Sequence, residues 1–389
     1  MKATWVTPTH EEFTPPKKAN HTDLLYRMLA RPNIASKEQW VRQYDHEVIA
    51  QTVGKPFTGI QRDGPGDAAV LAPIQGETQG LVVSCGINPR YSDLDATSMV
   101  ASAVDEAVRN AVCVGVDLSK IAGLDNFCWP DPIESSKTPD GQFKLAQLVR
   151  ANRELERMCR AYFLPCVSGK DSMKNDYGAG EDKISIPPTL LFSLFGNHPD
   201  IRTTASSDFK HAGDIIYLVG TSKEELGANE IAFMLKEAGQ ANGIGGQPPL
   251  MDNPHKQLEV YKNLSLAIQE GLVHTAHDCS EGGVGIALAE MCIGGRCGAE
   301  VDLDGTGNST LWARLWGESL GRIIVSIPPH RNKEFLDRMK GMPVTILGQV
   351  TGGTNLHIVD GNETIVSASV DEMVTAWQST LDFSKEAKV

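Results

Sequence analysis

The sequence predicts an α+β protein with two domains, and three observations support this prediction. The chain has 389 residues, which is enough for two separate hydrophobic cores. Short β-branched runs bounded by Gly and Pro are mixed with longer amphipathic helical patterns. Near the C-terminus the predicted strands 322–329, 343–351 and 355–361 follow one another, which indicates antiparallel returns and favours α+β over a doubly wound fold.

In the first half, a polar leader precedes two short helices within 21–48, broken at Pro32, with Ser36 as N-cap of the second. Apolar residues spaced by three and four predict a long helix over 95–114, and a second one spans about 145–162. The composition of residues 130–142 predicts a loop. The predicted strands of this half are 67–73, 80–88, 118–127, 165–173 and 184–197, the last interrupted by two prolines.

The composition changes around 198–213, where we place the domain boundary. A buried strand at 213–220 opens the second half, a Gly/Pro loop covers 241–254, a helix covers 256–270, and 272–291 reads as strand, loop and helix. The expected division is a leader with short helices (1–50), an N-terminal domain (51–205), a C-terminal domain (206–360) and a C-terminal tail (361–389).

The composition excludes several classes of protein. The net charge of −13, with no Lys/Arg block, argues against a nucleic-acid partner. The sequence has no apolar run of transmembrane length and no signal-peptide pattern, so we expect no membrane partner. The eight cysteines are scattered without a CxxC pair, which argues against zinc and is typical of reduced cytoplasmic thiols.

The segment HDCSEGG (277–283), followed by the helical run VGIALAEM, is the most informative motif. It places Asp278, Ser280, Gly282 and Gly283 at a predicted helix N-terminus, where unpaired N–H groups attract phosphate. An acid at a phosphate site requires a divalent cation, so the motif predicts a metal–phosphate site. The alternative is a simple helix cap, with Ser280 capping and the glycines making a tight turn.

Three further residues supply oxygen ligands of the kind that Mg²⁺ prefers. Glu106 and Asn110 are four apart on the predicted helix and therefore share a face. Asp67 follows the glycine-rich turn RDGPG and opens a strand. With Asp278 these residues would form a sensible Mg²⁺ shell, although for each alone a solvated face or a turn is the more common role.

Two other stretches remain open. The segment SGKDSMKND (168–176) offers Gly169 and Ser172 beside two lysines, either for phosphate or as a polar turn. His46, between two acids, is either a general base or a structural histidine. The sequence contains no Walker lysine loop, no GxGxxG fingerprint and no GxSxG, so a nucleophilic triad has no support.

Taken in order, these stretches resemble phosphoribosylformylglycinamidine synthase, and more narrowly the second half of its internally duplicated synthetase region. The resemblance runs from about Leu24 to about Ile358 and is carried by the following segments: WVRQYDHEV, DGPGDAAVLAP, AVDEAVRNAV, KIAGLDNFCWPDP, QLVRANRELERMC, PCVSGKDSMKND, GDIIYLVG and HDCSEGGVGIALAEM. It implies a PurM-like two-domain unit: an AIR synthase-like N-terminal α+β domain that pairs its sheet with a sister domain, and a C-terminal α+β domain.

The resemblance also implies roles for single residues. Asp67, Glu106, Asn110 and Asp278 fall on Mg²⁺ ligand positions, and Ser280 falls on a nucleotide contact. Gly66 falls on a backbone contact, and Gly169 and Ser172 fall on positions that touch ATP or the ribonucleotide. Lys170 departs from the Asn that ligates metal in that loop, so a metal there is in doubt. No catalytic residue is assigned beyond the candidate His46.

The implied activity is a carbon–nitrogen ligase of de novo purine biosynthesis. ATP would phosphorylate the formylglycinamide oxygen of the ribonucleotide, and ammonia from glutamine would displace phosphate. The cofactors are ATP or ADP and Mg²⁺. Because the family's first half and its glutaminase are absent from the sequence, the implied partners are that first half or a second copy, and a glutaminase. The alternatives are a non-catalytic nucleotide-binding scaffold and a stand-alone homodimeric synthetase or kinase of the same superfamily.

Overall fold

The computed structural model describes residues 2–178 and 182–383. The helices in these ranges are α1 (His21–Leu29), α2 (Glu38–Val41), α3 (Ala96–Cys113), α4 (Gly141–Ala161), α5 (Glu230–Glu237), α6 (Pro254–Gln269), α7 (Gly283–Gly295), α8 (Leu311–Trp316), α9 (Asn332–Arg338) and α10 (Val370–Ser379). The strands are β1 (Thr52–Gly54), β2 (Phe57–Thr58), β3 (Gly64–Pro65), β4 (Ala69–Leu71), β5 (Gly80–Ile87), β6 (Ile121–Cys128), β7 (Cys166–Ser172), β8 (Asp176–Tyr177), β9 (Ile184–Ser185), β10 (Thr189–His198), β11 (Ile215–Val219), β12 (Thr275–Asp278), β13 (Gly298–Asp302), β14 (Ile323–Ile327), β15 (Val344–Thr351), β16 (Asn355–Asp360) and β17 (Glu363–Ser369).

The first sheet has the strand order β1-β4-β5-β10-β6-β7. Its pairings are antiparallel except that between β6 and β7. Strand β10 alternates buried and partly exposed side chains, with Leu190, Phe192 and Leu194 fully buried on the face that α3 covers. This period of two is the pattern of a sheet with one covered face.

The second sheet has the order β12-β14-β11-β15-β13-β16-β17 and is antiparallel except between β13 and β16. Strand β14 is buried at all five positions, as its unbroken apolar run predicts for a central strand. Helix α7 is apolar all round and packs between this sheet, α8 and α10.

Two hydrophobic cores fill the molecule. One combines α3 and the first sheet with residues of α6, β14 and α9, so it crosses the predicted domain boundary near 206. The other lies around α7 in the C-terminal half and includes Leu24, Leu25, Met28 and Leu29 of α1. The two halves therefore share buried side chains. No helix in the described ranges is long and apolar enough to cross a membrane.

Described residues from both segments expected as leader and tail join the C-terminal core. Helix α1 packs against α10, and the Trp377 indole N–H donates to the Ile34 carbonyl at 2.9 Å. The segment 361–383 contains β17, which is paired with β16, and α10, so it belongs to the C-terminal core. The sequence analysis assigned neither β17 nor α10, and residues 384–389 of the expected tail lie outside the described part.

Other boundaries also differ from the prediction. The helix expected after Ser36 is the four-residue α2, with Ser36 Oγ accepting from the Glu38 N–H at 3.3 Å. The strand predicted over 184–197 is divided by its two prolines into β9 and β10, since proline lacks the N–H that a ladder needs. Helices α5, α8 and α9 and strand β13 were not predicted, because each is short.

Candidate functional site

A cleft lies where α3 of the N-terminal half meets β12 and α7 of the C-terminal half. The turn before β4, which carries Gly66 and Asp67, forms the third side of the cleft. Acidic and amide side chains dominate its lining, which consists of Asn33, Ile34, Pro65, Gly66, Asp67, Glu106, Asn110, His277, Asp278, Ser280, Glu281, Ala287 and Glu290. The structure thus brings together the four predicted metal ligands, together with Gly66 and Ser280.

Asp67 and Asp278 come from different domains and meet directly. Asp67 Oδ1 accepts from the Asp278 backbone N–H at 3.1 Å and lies 2.9 Å from His277 Nδ1. His277 Nε2 in turn lies 3.0 Å from Glu290 Oε2 of α7, so the imidazole bridges two carboxylates. Ligand atoms of Asp67, His277 and Asp278 all lie within 4.8 Å of one another, a spacing that a single cation can span.

Helix α3 presents two adjacent pairs of residues with the same helical spacing. Glu106 and Asn110 face the cleft, where Glu106 Oε2 accepts from the Ile87 N–H at 3.0 Å and from Asn88 Nδ2 at 2.7 Å. Asp105 and Arg109, one position earlier, are fully buried and ion-paired. One helix therefore supplies both the cleft and the packing behind it.

Arg109 connects this buried pair to the cleft. Its Nη2 donates to Asp278 Oδ2 at 3.1 Å and to Ser280 Oγ at 2.9 Å. The Asp105 carboxylate also accepts from Tyr162 at 2.8 Å, from Tyr261 at 2.7 Å and from the Gly321 N–H at 3.0 Å. A buried carboxylate with this many donors is well stabilised, so Arg109 is held rigidly against Asp278.

Carboxyl groups lie close together in the cleft. Burial raises the pKa of Glu106 well above its usual range, and the neighbouring Glu281 and Asp278 carboxylates raise it further. Burial, with Asp278 nearby, also raises the pKa of Glu281 to about 7. Burial disfavours the charged form of His277, but Asp67 and Glu290 outweigh it and hold the histidine pKa well above its usual range. A cation in this cleft would offset the repulsion between the carboxylates.

The hydrogen bonds leave oxygen atoms available to such a cation. Among the described residues, no donor contacts Asp67 Oδ2, Glu106 Oε1 or Asp278 Oδ1, while the other oxygen of each carboxylate is fixed by its partners. The Asn110 amide donates to the Cys85 carbonyl at 3.1 Å, which leaves its oxygen unpaired. These are hard oxygen donors, so the residues present fit Mg²⁺.

The two motif glycines are not used as the sequence led us to expect. Gly282 has φ +78° and its N–H donates to Glu318 Oε1 at 2.9 Å, while the Gly283 N–H donates to the Ser280 carbonyl at 2.9 Å. Both amides are therefore occupied within the protein and do not offer a phosphate site. Gly283 is required by packing, since a Cβ there would lie 2.2 Å from the Gly317 carbonyl oxygen.

Three other predicted residues lie away from the cleft lining. Gly169 and Ser172 are on β7, the edge strand of the first sheet, where a Cβ on Gly169 would lie 2.9 Å from an Asp125 oxygen. His46 lies in the turn before β1, and its Nδ1 is 3.4 Å from the Tyr44 carbonyl. The sequence analysis did not assign His277, Arg109, Glu281 and Glu290 to the site, although all four lie in segments that carry the resemblance.

The fold and the cleft define a class: a two-domain α+β protein with an acidic cleft between its domains. Residues 65–186 match the AIR synthase related protein N-terminal domain, and residues 211–361 match the AIR synthase related protein C-terminal domain. The two matches together cover most of the chain. The chain belongs to the AIR synthase related family.

Within this family, its curated relatives are phosphoribosylformylglycinamidine synthase subunits PurL. The chain is 33% identical to the Deinococcus radiodurans subunit over 361 residues, which are 92% of this chain and 46% of the relative. It is 37% identical to the subunit of an Anaeromyxobacter species over 380 residues, covering 94% of this chain and 45% of the relative. The chain therefore spans about half the length of the curated relatives it matches.

Solved structures of Thermotoga maritima PurL share the fold. The complex with FGAR superposes with a TM-score of 0.65 at 15% identity, covering 92% of this chain and 54% of that one. The complex with ADP has a TM-score of 0.62 at 16% identity, covering 93% and 52%. The PurLQS structure has a TM-score of 0.64 at 14% identity, covering 93% and 52%.

Proposed function

We propose that this chain is one half of a phosphoribosylformylglycinamidine synthase and binds a magnesium nucleotide in the cleft between its domains. The observation that carries the proposal is the direct contact of Asp67 and Asp278 from opposite domains, beside Glu106 and Asn110. The curated relatives bear that enzyme's name, and the T. maritima relative has been solved with ADP and with ATP.

In this proposal the four residues Asp67, Glu106, Asn110 and Asp278 hold Mg²⁺ through oxygen atoms. The cation would bridge the phosphates of ATP or ADP and offset their charge. Ser280 and Gly66 line the same cleft and would contact the nucleotide. Arg109 keeps Asp278 and Ser280 in place through its two hydrogen bonds.

The first sheet supports the need for a partner. Alternate side chains of β5 face away from α3, and among them Val83 is 37% and Ile87 is 41% exposed. Leu191 and Phe195 of β10 lie on the same outer side and are only half-buried. An apolar sheet face of this kind is typical of an interface, and we propose that a first half of the synthetase, or a second copy, covers it.

The proposed reaction is the ATP-dependent amidination of formylglycinamide ribonucleotide, with ammonia supplied from glutamine by a glutaminase partner. The PurLQS assembly of T. maritima supports a partner of this kind, since its name describes PurL together with two further proteins. The proposal includes a cytoplasmic location, which the scattered cysteines support.

A turnover assay tests the proposal. The chain is incubated with ATP, Mg²⁺, formylglycinamide ribonucleotide and ammonia, alone and with a first-half synthetase chain, and the amidine is measured. We expect product only when the first half is present. Tight nucleotide binding with no turnover in either condition would favour a scaffold, and turnover by the chain alone on another substrate would favour a stand-alone synthetase or kinase.

A further inference from the structure

Two cysteines lie in contact at one end of the first sheet. Cys159 is in the last turn of α4, Cys166 is the first residue of β7, and their sulfur atoms are 3.7 Å apart. All eight cysteines are free and lie in the described ranges. A disulfide needs an S–S distance of about 2.0 Å, so a modest side-chain movement would allow the bond to form.

The backbone holds the two thiols in this arrangement. The intervening residues 162–165 form a tight turn in which Phe163 has φ +52°. The Leu164 N–H donates to the Cys159 carbonyl at 2.9 Å, and the Gly123 N–H of β6 donates to the Pro165 carbonyl at 2.9 Å. The turn is therefore anchored at both ends, and the proximity of the thiols is built into the fold.

The two thiols differ in their access to solvent. Cys166 is exposed, whereas Cys159 is partly buried, and both line a surface groove. A small oxidant can therefore reach Cys166 first, with Cys159 behind it. An accessible thiol can form a mixed disulfide with the oxidant, and a second thiol in contact with it can then convert the mixed disulfide into an internal one.

We propose that Cys159 and Cys166 form a reversible intramolecular disulfide, with a low-molecular-weight disulfide such as oxidised glutathione as the oxidant. The Cys166 thiolate attacks one glutathione sulfur, breaks the glutathione S–S bond and releases one glutathione thiolate. The Cys159 thiolate then attacks Cys166 Sγ and expels the second glutathione thiolate. Two cysteines are oxidised, one disulfide is reduced, and the two cysteine protons pass to solvent and to the released thiolates.

The bond would attach an edge strand to a helix. Among the described strands, β7 pairs only with β6, and it lies at the edge of the first sheet. A link at Cys166 would fix the start of this strand to the end of α4. The segment 168–172, with Gly169 and Ser172, follows directly, so oxidation would restrict the strand that carries them.

The test uses the full chain in glutathione redox buffers, with acid quenching, alkylation of free thiols and peptide mass mapping. Burial raises the pKa of both thiols, so the exchange is run at mildly alkaline pH. Trypsin cleaves after Arg157, Arg160 and Lys170, which separates the two cysteines into peptides 158–160 and 161–170. We expect these two peptides to be joined in the oxidised sample and separate after reduction.

Single variants sharpen the result. In Cys159→Ser, the mixed disulfide on Cys166 cannot resolve, so we expect Cys166 to accumulate with one glutathione attached. In Cys166→Ser, we expect Cys159 to remain a free thiol. Cys85→Ser serves as the control, since Cys85 is the other exposed cysteine; it should form the 159–166 link like the unaltered chain.

Two outcomes would overturn the proposal. One is a stable glutathione adduct on Cys166 in the unaltered chain with no linked peptide. The other is a linked peptide that forms only in denaturant, which would show that the folded chain does not hold the thiols for reaction.

Discussion

Asp278 and Asp105 are both acids at a domain junction, yet their surroundings give them different tasks. Asp105 is fully buried and accepts from two tyrosines, an arginine and a backbone N–H, so it is a structural anion. Asp278 uses one oxygen for Arg109 and Ser280 and leaves the other facing the cleft. The sequence identified Asp278 through its motif, but Asp105 and Arg109 looked like ordinary charges on an amphipathic helix, because spacing alone does not reveal which charges are paired in three dimensions.

We predict that replacing Asp278 weakens magnesium–nucleotide binding far more than replacing His46. Loss of a residue that merely supports a metal ligand typically costs about 10–100-fold in metal affinity, and loss of a ligand should cost at least as much. Isothermal titration with Mg-ADP on Asp278→Ala and His46→Ala measures the difference. Because Asp278→Ala leaves Arg109 without one partner, Asp278→Asn is measured as well. Equal affinities of the Asp278 and His46 variants would exclude the cleft as the site.

Glu318 should make stability depend on pH. It accepts from the Gly282 and Glu230 N–H groups and from Tyr91, and Glu281 and Arg322 lie nearby. Burial, with Glu281, raises its pKa from 4.5 to about 8. Since the folded-state pKa is the higher one, its contribution is fully present below about pH 4.5 and is lost as the pH rises through 8.

We therefore predict that Glu318→Gln flattens this pH dependence. The amide keeps an oxygen for the two backbone donors and cannot ionise, so at pH 8 to 9 the variant should be at least as stable as the unaltered chain. Urea unfolding at a series of pH values from 5 to 9 measures the free energy of unfolding. The same slope in both proteins would show that Glu318 does not carry the effect.

At the scale of elements, the sequence could predict those with a clear hydrophobic pattern. Helices α3, α4 and α6 and strands β5, β10 and β14 each present a clear period or apolar run, and the predicted segments overlap them. Short elements such as α8 and α9 have too few residues for a period to show, and their existence depends on the core they cover. The place of α1 could not be predicted either, because an amphipathic face shows that a helix is buried but not against which neighbour.

The packing of α1 predicts where its mutations act. Leu25 is completely buried in the C-terminal core although it precedes the N-terminal domain in the chain. Leu25→Ala should therefore destabilise the protein by about 2–5 kcal/mol, the usual cost of such a truncation in a core. Chemical denaturation measures the loss, with Leu336→Ala as the control since Leu336 is 42% exposed. Losses of similar size in both variants would contradict the assigned packing.

At the scale of the whole molecule, the two halves are joined by shared packing. One hydrophobic core runs from α3 into α6 and β14, and the Asp105 network crosses the same boundary. The change in composition near residue 206 indicated two domains, but sequence alone could not show how tightly they adhere, because that depends on pairs of residues more than 150 positions apart.

This shared core predicts a single unfolding transition. Separating the halves would expose apolar surface and leave Asp105 without Tyr261, so neither half should persist after the other unfolds. Differential scanning calorimetry and far-UV circular dichroism should report one coincident transition. Two resolved transitions would show that the halves fold independently.

Helix α3 has a geometric consequence for the cleft. Glu106 and Asn110 of this helix face the cleft, whereas Asp105 and Arg109 are held in the interior by their ion pair. We therefore expect the helix to keep its position when a ligand binds. A ligand that enters the cleft can move only the parts that face α3, which are the turn at Asp67 and the start of α7. Any induced fit should therefore be confined to one side of the cleft, while α3 keeps its position.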